Sequence, residues 1–173
     1  MEDQANSKNI ILNYGLYLGI IGIIVHLTLW ATGNVFTLQW LNSVISFVTM
    51  IVFIVLGIKQ FKGINSGFIS WGQGVKIGLG ITMISAVIAV VYTLLFTNII
   101  EPTFQQQAMD FQAKAWEDAG LSSEQIEASV AMAEKFNSPA IVSAMILAFS
   151  AFVGFVFSAI IAAIMKKSEE ETY

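Results

Sequence analysis

The sequence predicts an all-α integral membrane protein: a four-helix bundle with an extracytoplasmic helical hairpin between the third and fourth transmembrane helices. Of its 173 residues, 56% are hydrophobic and only 12% are charged, whereas soluble domains carry about 25% charged residues. The mean hydropathy is +0.74. Four uncharged stretches reach the roughly 20 residues that a helix needs to cross a bilayer. Together these observations predict a single polytopic membrane domain over residues 1–173.

The four predicted spans are long and carry almost no charge. Helices of soluble proteins average about 11 to 12 residues and usually show a polar face, so uncharged stretches of this length are typical of membrane spans. Only Lys76, at the entrance of the third span, carries a formal charge. A glycine-rich loop over residues 59–74 is predicted between the second and third spans. The spans lie at about residues 10–30, 38–58, 76–100 and 140–165.

The distribution of lysine predicts the orientation, because cytoplasmic loops carry the excess of positive charge. Six of the eight lysines fall in the N-terminal segment, the second loop and the C-terminal tail. The other two, Lys114 and Lys135, lie in the connection between the third and fourth spans. Both termini are therefore predicted in the cytoplasm, and the long connection outside. The six lysines are Lys8, Lys59, Lys62, Lys76, Lys166 and Lys167.

That long connection, residues 101–138, is called the insert here and is predicted to form the external hairpin. It holds seven acidic residues and two lysines, a net charge of −5. Pro102 suits the first position of a helix, and Gly120 suits a helix stop. Ser122 and Gln125 have the spacing of a capping box, which predicts the start of a second helix.

Two interpretations fit the acidic residues of the insert. They form either a solvated face that keeps the hairpin soluble or a surface that binds a cation or a basic partner. The first is favoured, because calcium sites need ligands clustered on a shaped loop and no such spacing occurs. The residues are Asp110, Glu117, Asp118, Glu124, Glu127 and Glu134.

Small residues recur at helical spacing within the spans, where they let helix backbones approach closely. Packing within the bundle is the favoured interpretation, and the alternative is an interface between copies in a homo-oligomer. The helix-packing candidates are Gly15, Gly19, Gly74, Gly78, Gly154 and Ser158.

Polar residues cluster near the outer ends of the predicted spans. Ionisable groups within spans usually mark function, and His26 is the candidate here, since Lys76 lies at the entrance of its span. Interhelical hydrogen bonds would explain this cluster, and the alternative is a small water-filled recess open to the outside. The candidates are His26, Asn42, Ser46, Thr49 and Asn98, with Thr93 and Thr97 beside them.

The composition excludes several classes of function. One histidine and no cysteine cannot supply a metal centre or a Cys-His pair, and no hydrolase or phosphate-binding motif occurs. We therefore predict no enzyme activity, no cofactor and no metal. The absence of arginine and the net charge of −4 argue against nucleic-acid binding.

The layout resembles the family of short bacterial membrane proteins known as domain of unknown function 4199. The similarity is carried by Gly15 and Gly19, by residues 68–78, 100–104 and 120–126, and by a final apolar helix that ends in lysines. The resemblance implies four transmembrane helices in the bacterial cytoplasmic membrane, that is, the inner membrane. It implies no activity and no site residues.

The sequence thus favours a non-enzymatic accessory or interaction protein. Its partners would be the lipid bilayer and a membrane or extracytoplasmic protein that binds residues 101–138. The alternative is a small oligomeric transporter or pore that uses the polar recess near His26 and Asn42.

Overall fold

The computed structural model describes residues 7–167, in which the chain forms six α-helices and no β-strand. The predicted domain extends beyond this range at both ends. Four helices are long and apolar enough to cross a membrane. They are α1 (Ser7–Ala31), α2 (Gln39–Ile64), α3 (Trp71–Leu95) and α6 (Pro139–Met165). Two shorter helices, α4 (Phe104–Asp118) and α5 (Ser123–Phe136), lie in the insert.

The connection between α2 and α3 is shorter than the glycine-rich loop that the sequence predicts. Helical hydrogen bonding continues to Ile64, so only residues 65–70 lie between the two helices. Ser70 then caps α3 with a capping box, in which its hydroxyl accepts from the Gln73 N–H and the Gln73 side chain accepts from the Ser70 N–H. This capping signal is present in the sequence and fixes the start of α3 five residues before the predicted span.

The far end of α3 widens into a π-helical turn, Phe96–Ile100. The turn closes with a hydrogen bond from the Glu101 N–H to the Phe96 carbonyl (2.8 Å). The Phe96 side chain is fully buried. Single π-helical turns within α-helices occur frequently at functional sites, which draws attention to this end of the bundle.

Helix α3 is the centre of the bundle and packs mainly against α1 and α6. The small residues lie at these contacts. Gly15 and Gly19 of α1 face Ile84 and Ile88 of α3. Gly74 and Gly78 of α3 face Ala162 and Ser158 of α6, and Gly154 of α6 faces Thr82.

The bundle is closed tightly at the end where residues 65–70 lie, which we call the loop end. The fully buried side chains here include Ile54, Ile58 and Ile77. The backbones of Ile69 and Lys167 pair through two hydrogen bonds of 3.0 Å.

Two longer-range bonds add to this closure. The Lys62 ammonium donates to the Met165 carbonyl (3.1 Å), and the Trp71 indole N–H donates to the Ala159 carbonyl (3.0 Å).

The opposite end, which we call the insert end, is more open. No residue of α2 between 39 and 50 is buried, although the second half of the same helix supplies much of the core. Helix α2 also makes few contacts with α6. The four long helices therefore leave space between them at the insert end.

The two helices of the insert begin and end through local hydrogen bonds. Gly120 has φ +85°, and the N–H groups of Gly120 and Leu121 donate to the Glu117 and Trp116 carbonyls. This is the Schellman pattern, so the predicted stop is confirmed. The capping box at Ser122 is also confirmed.

The start of α4 differs from the prediction. The helix begins at Phe104 and not at Pro102, because the Phe104 N–H donates to the Glu101 carbonyl (3.0 Å) and closes a turn first.

Candidate functional site

A cavity of about 440 Å³ lies between α1, α2, α3 and α6 at the insert end. We call it the recess. His26, Asn42, Ser46 and Thr49, which the sequence groups by depth, all line it, and so does Thr93. Asn98 lies outside the residues that line the recess: its side chain is exposed, and its amide donates to the Leu94 carbonyl (2.7 Å).

The recess reaches deep into the bundle and contains no charged side chain in its lining. Its inner part is bounded by Leu18, Met50 and Thr82, and Thr82 lies near the middle of α3. Hydroxyl groups extend along its length together with apolar walls. The remaining hydrogen-bonding side chains in the lining are Ser43, Ser85, Tyr92 and Ser150.

Several of these polar side chains have no hydrogen-bond partner among residues 7–167. Asn42, Ser46, Ser85, Thr93 and Ser150 all belong to this group. A polar group at membrane depth is costly unless another group or water satisfies it. The recess therefore offers free donors and acceptors to water or to a ligand.

Other hydroxyls of the lining are already satisfied by their own helix. The Ser43 hydroxyl donates to the Gln39 carbonyl (3.0 Å), the Thr49 hydroxyl to the Ile45 carbonyl (2.6 Å) and the Thr82 hydroxyl to the Leu79 carbonyl (2.9 Å). Bonds of this kind are common for serine and threonine in helices. The lining thus contains two kinds of polar side chain: those that bond their own helix and those that have no hydrogen-bond partner.

His26 lies where the recess meets the insert. Its Nδ1 is 2.7 Å from the Tyr92 hydroxyl, which joins α1 to α3. Its ring stands edge-on to Phe96 at 4.9 Å between centroids and to Phe104 of α4 at 5.6 Å. The polar bond orients the imidazole, and the aromatic rings cover it from the side of the insert. The sequence does not single out Tyr92, because a tyrosine near a span end is also typical of an interfacial anchor.

Stacked aromatic rings attach α4 to the spans. Phe36, in the connection between α1 and α2, lies 5.2 Å from Phe104 and 5.6 Å from Phe111 between ring centroids, with nearly parallel planes. Offset stacked pairs of this kind contribute about 0.5 to 1.5 kcal/mol beyond burial. The apolar side of α4 is thereby directed toward the spans.

The acidic residues of α4 and α5 are exposed. They are Asp110, Glu117 and Asp118 of α4 and Glu124, Glu127 and Glu134 of α5. Within residues 7–167, no three side chains of histidine, cysteine, aspartate or glutamate are close enough together to hold a metal ion.

A known protein family matches the part of the chain that contains the whole recess. A family model described as "Protein of unknown function (DUF4199)" matches residues 13–167. No curated protein and no solved structure matches the chain. All residues that line the recess fall within the matched range.

Proposed function

We propose that this chain, which belongs to the DUF4199 family of proteins of unknown function, is a non-enzymatic multi-pass membrane protein that binds a small uncharged solute in the recess. The observation that carries the proposal is the set of unpartnered polar side chains that line the recess, among them Asn42, Ser85 and Ser150. A largely apolar cavity with a few free polar groups is the usual form of a small-molecule site. With no countercharge in its lining, the recess would bind an ion poorly.

The proposal includes a topology in the bacterial cytoplasmic membrane. Both termini lie in the cytoplasm, and residues 101–138 form an extracytoplasmic helical hairpin that covers the outer ends of the spans. The lysine distribution supports this orientation. The recess is then closed on the cytoplasmic side by the core around Ile54 and Ile77 and reached from outside, which is the geometry of an outward-facing binding site.

Cysteine accessibility tests the proposal directly, because the chain contains no cysteine. A cysteine in place of Ser85 is expected to react with a hydrophilic, membrane-impermeant methanethiosulfonate that is added to intact cells. The matched control is Val87→Cys, two residues along the same helix but exposed on the outer surface of the bundle, where lipid would surround it. Because the thiolate is the reactive form and apolar surroundings suppress it, the Val87 cysteine should react at least about tenfold more slowly.

Two further single-cysteine variants fix the orientation. Gln112→Cys in α4 should react from outside in intact cells, and Lys59→Cys near the loop end should react only after the membrane is opened. Equal reaction at Ser85 and Val87 would remove the evidence for a water-accessible recess. Reaction at Lys59 alone in intact cells would invert the topology.

A second candidate function is the accessory or interaction role, in which the hairpin binds a membrane or extracytoplasmic protein. The observation that favours it is the exposure of six carboxylates on α4 and α5 of the insert. Such a surface suits a basic partner. A homo-oligomer formed through the lipid-facing sides of the spans is compatible with either candidate.

Crosslinking in intact membranes tests this second candidate. We expect a partner crosslinked to the native chain to be lost when Asp110, Glu117, Asp118, Glu124, Glu127 and Glu134 are replaced by asparagine or glutamine. The isosteric changes remove charge but leave both helix caps in place. A partner retained by the neutral variant would show that the acids only solvate the hairpin.

A further inference from the structure

We infer that the space between the insert and the ends of α3 and α6 is a second chamber that admits uncharged hydrogen-bonding solutes and passes them into the recess. We call this chamber the vestibule. Its volume is about 570 Å³. The inference rests on the proposed function, because it names the route and the class of solute for the same site.

The lining of the vestibule combines three carboxamides with two aromatic rings, Phe104 and Trp116, and several apolar side chains. Gln105, Gln112 and Trp116 come from α4, and Asn137 comes from the connection between α5 and α6. A carboxamide both donates and accepts hydrogen bonds, which suits the hydroxyl groups of an uncharged solute. An indole adds a flat apolar face and one N–H donor.

The amides of the vestibule differ from the other glutamines nearby in their bonding. Gln106 donates to Asp110, Gln107 to Thr103, and Gln125 is used in the cap of α5. Among residues 7–167, by contrast, the side chains of Gln105 and Gln112 have no hydrogen-bond partner.

The same holds for two more polar side chains of this lining, whereas the Thr97 hydroxyl donates to the Thr93 carbonyl (2.9 Å). The Asn137 amide and the Trp116 indole N–H also have no partner within the described part of the chain. Four polar side chains without a hydrogen-bond partner therefore line the vestibule on the side of the insert.

The vestibule is free of charge although the insert around it is strongly acidic. None of the seven acids and two lysines of the insert lines the chamber. A phosphate or carboxylate would meet no cation there, and a cation would meet no carboxylate. The lining therefore favours uncharged solutes, as the lining of the recess does.

Thr93 is the residue that the linings of the two chambers share. Its side chain has no hydrogen-bond partner among the described residues. In the π-helical turn that follows α3, Thr97 lines only the vestibule. A hydroxyl-bearing solute can therefore keep hydrogen bonds as it moves from the amides of the insert past Thr93 to the free hydroxyls of the recess.

Large side chains introduced into the lining of the vestibule test the route without knowledge of the natural solute. In the Ser85→Cys background, Ala133→Trp should slow the reaction with a neutral, sugar-linked methanethiosulfonate by about tenfold, because access to the thiol sets the rate. Ala133 lines the vestibule, whereas Ala131, two residues away on α5, is exposed and lies outside it. Ala131→Trp is the matched control and should leave the rate unchanged. Ala108→Trp and the exposed Ala115→Trp form an equivalent pair on α4.

The charge of the reagent tests the class of solute. After correction for reaction with a small thiol in solution, the sugar-linked reagent should label Ser85→Cys at least about tenfold faster than the cationic trimethylammonium or anionic sulfonate reagent. Equal or faster labelling by either charged reagent would overturn the assignment to uncharged solutes. If Ser85→Cys is labelled but neither Ala133→Trp nor Ala108→Trp slows the labelling, the vestibule is not the route and solutes enter between α2 and α6. If Ser85→Cys is not labelled at all, the proposed function itself fails.

Discussion

Replacement of Gly78 by leucine is expected to prevent formation of the folded bundle. A Cβ atom at this position would stand 2.8 Å from the Ser158 Cβ and 2.9 Å from the Ile54 Cγ2, and it would overlap the Ser158 hydroxyl oxygen. These atoms belong to α6 and α2, so α3 cannot move away from one neighbour without meeting the other. The smaller change Gly78→Ala should still destabilise the protein by about 1 to 3 kcal/mol, which is typical of overpacked cores.

The measurement is the melting temperature and the monodisperse yield of each variant in detergent. Gly63 provides the matched control, because it lies in helix α2 and a Cβ atom built there meets nothing within 4 Å. Gly63→Ala should be neutral or stabilising by up to about 1 kcal/mol, since glycine is unfavourable within a helix. A similar loss of stability at both glycines would show that the close contact of α3 with α6 and α2 does not limit folding.

Much of this fold could be predicted from local signals. Uncharged length predicts the four spans because bilayer thickness sets a lower limit on helix length. Caps predict the helices of the insert, since the Ser122 capping box and the Gly120 stop depend only on neighbouring residues. Local signals also explain why the loop predicted over residues 59–74 is too long. Its glycines indicate a loop, whereas Gly74 lies in a helix and is needed for close contact with Ala162.

The partners of the small residues could not be predicted, because they depend on how one helix is shifted and rotated against another. Gly15 and Gly19 have the spacing of a glycine-mediated helix pair, yet each faces an isoleucine of α3. Their lack of a side chain makes room for the branched Ile84 and Ile88. Spacing alone indicates that a helix face can approach closely and does not indicate which residue it meets.

The candidate site was only partly predictable for a related reason. The sequence places His26, Asn42 and Thr93 at a similar depth along their spans. The rotation of each helix about its axis then decides which of these side chains share a cavity. Asn98 lies five residues after Thr93, within the π-helical turn, and its exposed side chain bonds the Leu94 carbonyl on a different face. Ser85 and Ser150 carry no signal in the sequence that separates a free hydroxyl from one that bonds its own helix.

Filling the recess from Gly22 is the change with the largest effect expected on function. Gly22 lines the recess, and a Cβ atom built there meets nothing within 4 Å. Gly22→Phe should therefore place a ring in the cavity without the overlap that Gly78 suffers. We expect labelling of Ser85→Cys by the sugar-linked reagent to fall by about tenfold or more, because the ring blocks access to the thiol, while the melting temperature stays close to that of the parent.

A graded series separates blocked access from damaged packing. Gly22→Val should give a smaller fall in labelling than Gly22→Phe, whereas Gly63→Phe, which projects from α2 away from the recess, should give none. If Gly22→Phe lowered labelling and melting temperature together while Gly22→Val changed neither, the effect would be one of folding. If Gly22→Phe folded normally and Ser85→Cys still reacted at the parental rate, the thiol would be reached by a path outside the recess, and the binding function proposed for it would be lost.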